Sequence, residues 1–159
     1  MNNLKDHSSR DHALLSASSA HRWLACPPSA VAAEAYPNED TEYTREGTLA
    51  HEVAERVART GGVTGSWRNE VTAEMLECAR GYAEYIQELT KSDGAIVLLE
   101  QRVDFSPWVP DGFGTCDCIL IQGDVLTIID YKYGQGVPVS AEDNPQMKLY
   151  ALGALNDYG

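Results

Sequence analysis

Two carboxylates and one ammonium group, Asp117, Asp130 and Lys132, define the chemistry this sequence is equipped for. Gly123-Asp124 is a Gly-X pair suited to a two-residue type II′ turn. A hairpin closed by that turn sets Gln122 against Val125, Ile121 against Leu126, Ile119 against Ile128 and Asp117 against Asp130. Opposed side chains on one face lie roughly 4.5–5.5 Å apart at Cβ, where like charges repel unless a cation or a proton intervenes. Lys132, two residues after Asp130, points to the same face. Carboxylate oxygens are hard ligands suited to magnesium or manganese, and a neighbouring ammonium group suits stabilisation of a phosphate or of hydroxide. A three-residue turn is the competing reading of the hairpin alone: it shifts the register and leaves the two acids on opposite faces as ordinary strand-end carboxylates.

Other residues carry weaker signals. His51, on a helix near Glu52 and Glu55, reads either as a solvated surface histidine or as an imidazole ligand. Glu100, midway in the first strand, either faces the site or is a strand-end or structural carboxylate. Gln146 and Tyr150 lie one helical turn apart and share a face. Cys26, Cys78, Cys116 and Cys118 lack the density and spacing of a secreted disulfide framework, so a reduced compartment is expected. Cys116 and Cys118 on an extended strand point to one face, but no C-x-x-C partner follows to close a zinc site, so half-buried structural thiols are expected. Trp23, Tyr82 and Tyr85 read as packing residues, since no basic patch with interleaved aromatics supports a base-stacking platform.

The elements that must position these groups follow from periodicity. Residues 1–15 are polar and unpatterned, a flexible arm, and residues 16–159 form one domain. Ser16 or Ser18 is expected to cap a short helix through Trp23 and Leu24 that ends at Cys26-Pro27-Pro28, and a second helix covers Ser29–Ala35. Tyr36–Thr44 reads as loop, after which Thr44 caps a helix with Leu49, Val53 and Val57 on its apolar side, stopped by Gly61-Gly62. Val71, Met75, Cys78, Ala79, Tyr82, Ile86 and Leu89 mark a long amphipathic helix ending near Asp93-Gly94. Three strands are expected at Ala95–Phe105, Phe113–Ile121 and Val125–Tyr131. Asn144-Pro145 then caps and opens a last helix. Both faces of the hairpin are apolar, so helices should cover both: an α/β fold with a mixed central sheet flanked by helices.

Composition bounds the function. The 159 residues are 43% hydrophobic, enough for one core, and 24 acidic against 12 basic residues give a net charge of −12. Bulk attraction cannot hold nucleic acid on such a surface, so contact with DNA must be local. No apolar run approaches bilayer length and no apolar signal segment follows the polar N-terminus, so a cytoplasmic protein with no membrane partner is expected.

Five ordered motifs resemble the RecB-like branch of the PD-(D/E)XK nuclease superfamily, and more closely a phage-encoded family of that branch whose domain has no assigned function. Ser16-Ala-Ser-Ser-Ala-His-Arg-Trp-Leu-Ala-Cys26-Pro27 resembles its opening helix, Glu46-Gly-Thr-Leu-Ala-His51 its histidine motif and Gly114-Thr-Cys-Asp117 its Gly-x-x-Asp motif. Asp130-Tyr-Lys132 is similar to its Asp-x-Lys core, and Gln146-Met-Lys-Leu-Tyr150 to its Gln-x-x-x-Tyr motif. Together they span residues 16–150 in the family's order.

The resemblance implies a restriction-endonuclease-like core and a magnesium or manganese ion bound by the Asp117 and Asp130 carboxylates, the Tyr131 carbonyl and the His51 imidazole. It implies that Lys132 orients or helps deprotonate an attacking water, while Gln146 and Tyr150 position the Lys132 region or the DNA backbone. The reaction implied is hydrolysis of a DNA phosphodiester by in-line displacement. Cys26 stands where iron–sulfur relatives place their first cluster ligand, but their three later cysteines have no counterpart before Gly159, so no cluster is expected. Larger members continue past the last helix, and the chain reads as a truncated or a minimal member.

The expectation is therefore a metal-dependent DNA nuclease, an exonuclease of phage or prokaryotic recombination, with DNA and a phage recombination protein as partners in the cell or infected host. The rival is a non-catalytic module that keeps the nuclease scaffold and binds a host or phage protein.

Overall fold

The computed structural model describes residues 13–36, 41–63, 70–91, 94–134 and 138–159. Most of the expected arm lies outside them, but Ala13 is already buried and Leu15 packs against a core. A 3-10 turn at Ala17–Ser19 leads into α1 (Ala20–Ala25) and α2 (Pro28–Glu34). Ser16 makes no side-chain cap; its carbonyl accepts the Trp23 indole N–H at 2.9 Å, pinning the buried ring.

Helix α3 (Glu42–Thr60) starts earlier than expected: Thr41, not Thr44, is the N-cap, its hydroxyl accepting the Thr44 N–H at 3.2 Å. Threonines three residues apart both satisfy the sequence rule, and only the side-chain bond distinguishes them. Gly61, at φ +76°, ends the helix where an L side chain would be strained. Helix α4 (Ala73–Leu89), capped by Thr72, buries Met75, Ala79, Tyr82 and Ile86. Tyr85 is exposed, a correction to its expected packing role, because it lies on the outer side of α4 from that stripe.

Strands β1 (Ile96–Asp104), β2 (Phe113–Gln122) and β3 (Val125–Ile129) form a sheet in that order among the described residues, antiparallel throughout and not mixed as expected, because short connections turn each strand back on the one before. Gln122 pairs with Val125 and Cys118 with Ile129, the register of a two-residue turn, and Gly123 takes the positive φ (+56°) such a turn demands. The third strand stops two residues short of expectation, because the Tyr131 N–H leaves the ladder for the Asp117 carboxylate. Asn144 caps α5 (Pro145–Tyr158), accepting the N–H groups of Gln146 and Met147, with Pro145 in the first helical position.

Helices cover both sheet faces, as the apolar alternation requires. Val53, Val57, Met75, Ala79 and Ile86 of α3 and α4 pack with Leu99, Cys118 and Leu120. Ala17, Ala20, Trp23, Leu149, Tyr150 and Ala154 pack with Val103, Phe105 and Ile119. Helix α5 comes close because glycine faces it: a Cβ on Gly114 would stand 2.9 Å from the Tyr150 ring, and one on Gly153 2.9 Å from Val103. Among the described residues no helix is long and apolar enough to cross a membrane.

Candidate metal centre

The site forms where the hairpin opens, between α3 on one side and α5 on the other. His51 extends from α3, its ring edge-on to Tyr131 at 5.3 Å, and Tyr131 packs in turn on Tyr82 of α4 at 5.1 Å. This aromatic stack, anchored in the first core, aims His51 Nδ1 at Asp117 Oδ1, 3.4 Å away. The second Asp117 oxygen accepts the Tyr131 N–H at 2.6 Å. Asp117 is thus held from both sides, with its side chain only 12% exposed.

Glu100 completes the group. Its neighbours Leu99 and Gln101 pair with Cys118 and Cys116, so Glu100 stands across from Asp117. Its own backbone is left-handed at φ +52°, a conformation costing a non-glycine residue roughly 1–3 kcal/mol. The Leu99 carbonyl accepts Arg59 Nη2 and Gln101 Nε2, both at 2.9 Å. One ligand atom each from His51, Glu100 and Asp117 lies within 4.8 Å of the others. An octahedral cation with ligands near 2.1 Å needs adjacent donors roughly 3 Å apart and opposite ones about 4.2 Å apart, so binding one ion would draw these side chains slightly closer. Two carboxylates and an imidazole suit manganese or magnesium, the imidazole tilting the balance to manganese.

Asp130 and Lys132 form the second half of the site. Lys132 Nζ lies 2.6 Å from Asp130 Oδ2, and Gln146 Nε2 donates to Asp130 Oδ1 at 3.0 Å. Gln146 Nε2 also lies 3.4 Å from the Tyr150 hydroxyl, so the two residues one turn apart on α5 face the same acid. The expected side chains fall in two groups: Asp117 lies with His51, and Asp130 lies between Lys132 and Gln146. Glu100, for which the strand pattern left the orientation open, joins the first. The expected Asp117–Asp130 pair is corrected: the ladder ends at Cys118–Ile129, and Asp130 stands outside the donor cluster because Lys132 and Gln146 take its two oxygens.

Protonation follows from crowding. Burial, then the charges of Asp117 and Glu55, push the Glu100 carboxyl up to about 7. The hydrogen bond to Asp117 raises His51 above its usual value against the opposing effect of burial. Burial raises Asp130 despite Lys132. Cys116 and Cys118 are both pushed up to about 12, chiefly by burial, and remain neutral thiols. Their expected common face is corrected: Cys118 packs in the core under α3 and α4 and Cys116 in the one under α5. The alternation breaks between them, opposite left-handed Glu100. Cys26 and Cys78 are exposed.

The fold and site define an α/β domain with a carboxylate–imidazole cluster at the open end of a hairpin. The chain belongs to the family described as protein of unknown function (DUF2800), whose model matches residues 12–159. No solved structure matches it.

Proposed function

We propose that the protein is a manganese- or magnesium-dependent DNA exonuclease of the RecB-like PD-(D/E)XK type. The observation that carries this reading is the His51, Glu100 and Asp117 donor set beside the 2.6 Å Lys132–Asp130 pair. Hard ligands and an ammonium group held at one strand end are what phosphodiester hydrolysis requires.

His51, Glu100 and Asp117 would hold the cation, and the resemblance implies that Asp130 and the Tyr131 carbonyl would extend the ligand set. When bound, the cation supplies positive charge for the phosphate oxygens and makes water more acidic. Lys132, half exposed, reaches both Asp130 and the cleft; it orients the attacking water and offsets charge developing on the phosphate. Gln146 fixes Asp130, and so Lys132, from α5, while the Tyr150 hydroxyl fixes Gln146. Local positive charge at this centre lets a chain of net charge −12 meet DNA.

The test is cleavage of end-labelled linear DNA in manganese, beside closed circular DNA. Loss of the linear substrate alone is expected. A chain that binds manganese but cuts no DNA would overturn the reading in favour of a binding module on the same scaffold.

A further inference from the structure

On the α3 side, one helical turn before His51, lies a hollow of about 340 Å³ lined by Tyr43, Glu46, Gly47, Glu74, Tyr133 and Gly134. It adjoins a shallower groove that shares Tyr43 and Glu46. Its position is set by the chain: Gly47 is one turn before His51 on α3, and Tyr133 directly follows Lys132. Tyr43 is 84% exposed, a large aromatic with no packing role. Gly47 lies inside a helix, where glycine is the costliest residue after proline. A Cβ there would meet no atom of the described residues within 4 Å, so none of them requires the missing side chain. The space it leaves opens into the hollow.

The lining selects its occupant. Glu46 and Glu74 repel a phosphate, so the DNA backbone is excluded from this side. A planar base is not: it stacks on Tyr43 or Tyr133, and exocyclic amines of adenine, cytosine and guanine donate to the carboxylates, whereas thymine offers only its N3–H, flanked by two carbonyls that the carboxylates repel. We infer that the hollow lined by Tyr43, Glu46, Gly47, Glu74 and Tyr133 is a nucleobase slot taking the base beside the scissile phosphate, with amino-bearing bases preferred over thymine. This deepens the nuclease reading and rests on DNA being the substrate.

The experiment titrates the whole chain, with calcium present, into a single-stranded oligonucleotide carrying terminal 2-aminopurine. Stacking should quench the fluorescence, and oligo(dC) should displace the probe at several-fold lower concentration than oligo(dT). Gly47→Leu fills the slot while improving helix propensity, so the melting temperature should rise or hold as affinity falls about 5-fold or more. Tyr43→Ala should weaken binding similarly. Gly81→Leu is the control, since Gly81 sits in α4 with nothing within 4 Å of its Cβ position and outside the hollow. It should raise the melting temperature and leave binding unchanged, and manganese affinity should hold in all three variants. Absence of quenching, equal displacement by the two homopolymers, or Gly47→Leu binding like Gly81→Leu overturns the slot. Quenching without cleavage in manganese supports the slot and sinks the nuclease reading; cleavage with a KM indifferent to Gly47→Leu does the reverse.

Discussion

Glu100 faces Asp117 across the β1–β2 ladder in a left-handed backbone conformation that breaks the pairing between them without changing its register. Burial, and after it the repulsion of the opposed Asp117, raises the Glu100 carboxyl, the first consequence of this placement. The second is the exchange of faces that puts Cys116 and Cys118 in different cores. A folded chain keeps such an arrangement when something outside the ladder holds it. Here Arg59 does so by bonding the carbonyl of Leu99, the residue before Glu100.

We predict that Asp117→Ala and Glu100→Gln each weaken manganese binding, by at least about 100-fold for Asp117 and ~10-fold or more for Glu100, in titration calorimetry. His51→Ala should lower manganese affinity more than magnesium affinity, because imidazole is the softer ligand. Unchanged binding in all three variants would remove the cation from this cluster.

The hairpin register was legible because Gly123-Asp124 permits a tight turn of one kind, and the capping of α5 because Asn144-Pro145 satisfies two terminal requirements at once. Glu100 was not legible. Its orientation depends on a positive φ that no glycine advertises, and on a bond from Arg59, forty residues away in the chain. The same break defeated the period-two reading of Cys116 and Cys118. The early end of β3 was hidden for a similar reason: the Tyr131 N–H exchanges a ladder partner for a side chain of the neighbouring strand.

The metal-free protein should lose stability as pH rises. Glu100 holds its proton up to about 7 when folded, against an ordinary value of 4.5, so between these values the folded chain binds more protons than the unfolded one. His51 acts in the same sense, contributing stability below 6.5 that disappears as pH passes its raised folded value. Burial of Asp130 adds to the trend. Thermal melts in chelator should therefore fall from pH 5 to pH 8, and manganese should reverse the fall at pH 8. Discounted for solvent exposure, Glu100→Gln should raise the metal-free melting temperature at pH 8 by about 2–4 °C while weakening metal binding. A flat profile would mean that the acids are not crowded as described.

Lys132→Ala should separate binding from chemistry. A protonated ammonium group cannot ligate a cation, so manganese affinity should hold or rise slightly when the positive charge is removed. Single-turnover cleavage of linear DNA at saturating manganese should slow by roughly 10²-fold or more. Equal losses of binding and rate would instead assign Lys132 to the support of Asp130, 2.6 Å away.

Arg59 should be a positioning residue for Glu100. Its Nε lies 2.7 Å from Glu55 and its Nη2 bonds the Leu99 carbonyl, so α3 supplies both a ligand, His51, and the brace for a second ligand two turns further on. Arg59→Met should cost little stability, about 1 kcal/mol, because Gln101 still donates to that carbonyl and the Glu55 pair is half exposed. Manganese affinity should nevertheless fall about 10-fold, as when an outer partner of a metal ligand is lost. The decisive measurement is the double mutant: with Glu100→Gln already in place, Arg59→Met should cost almost no further affinity, since the ligand it positions is gone. Additive losses would show that Arg59 acts on the site by another route, such as the packing of α3 on the sheet.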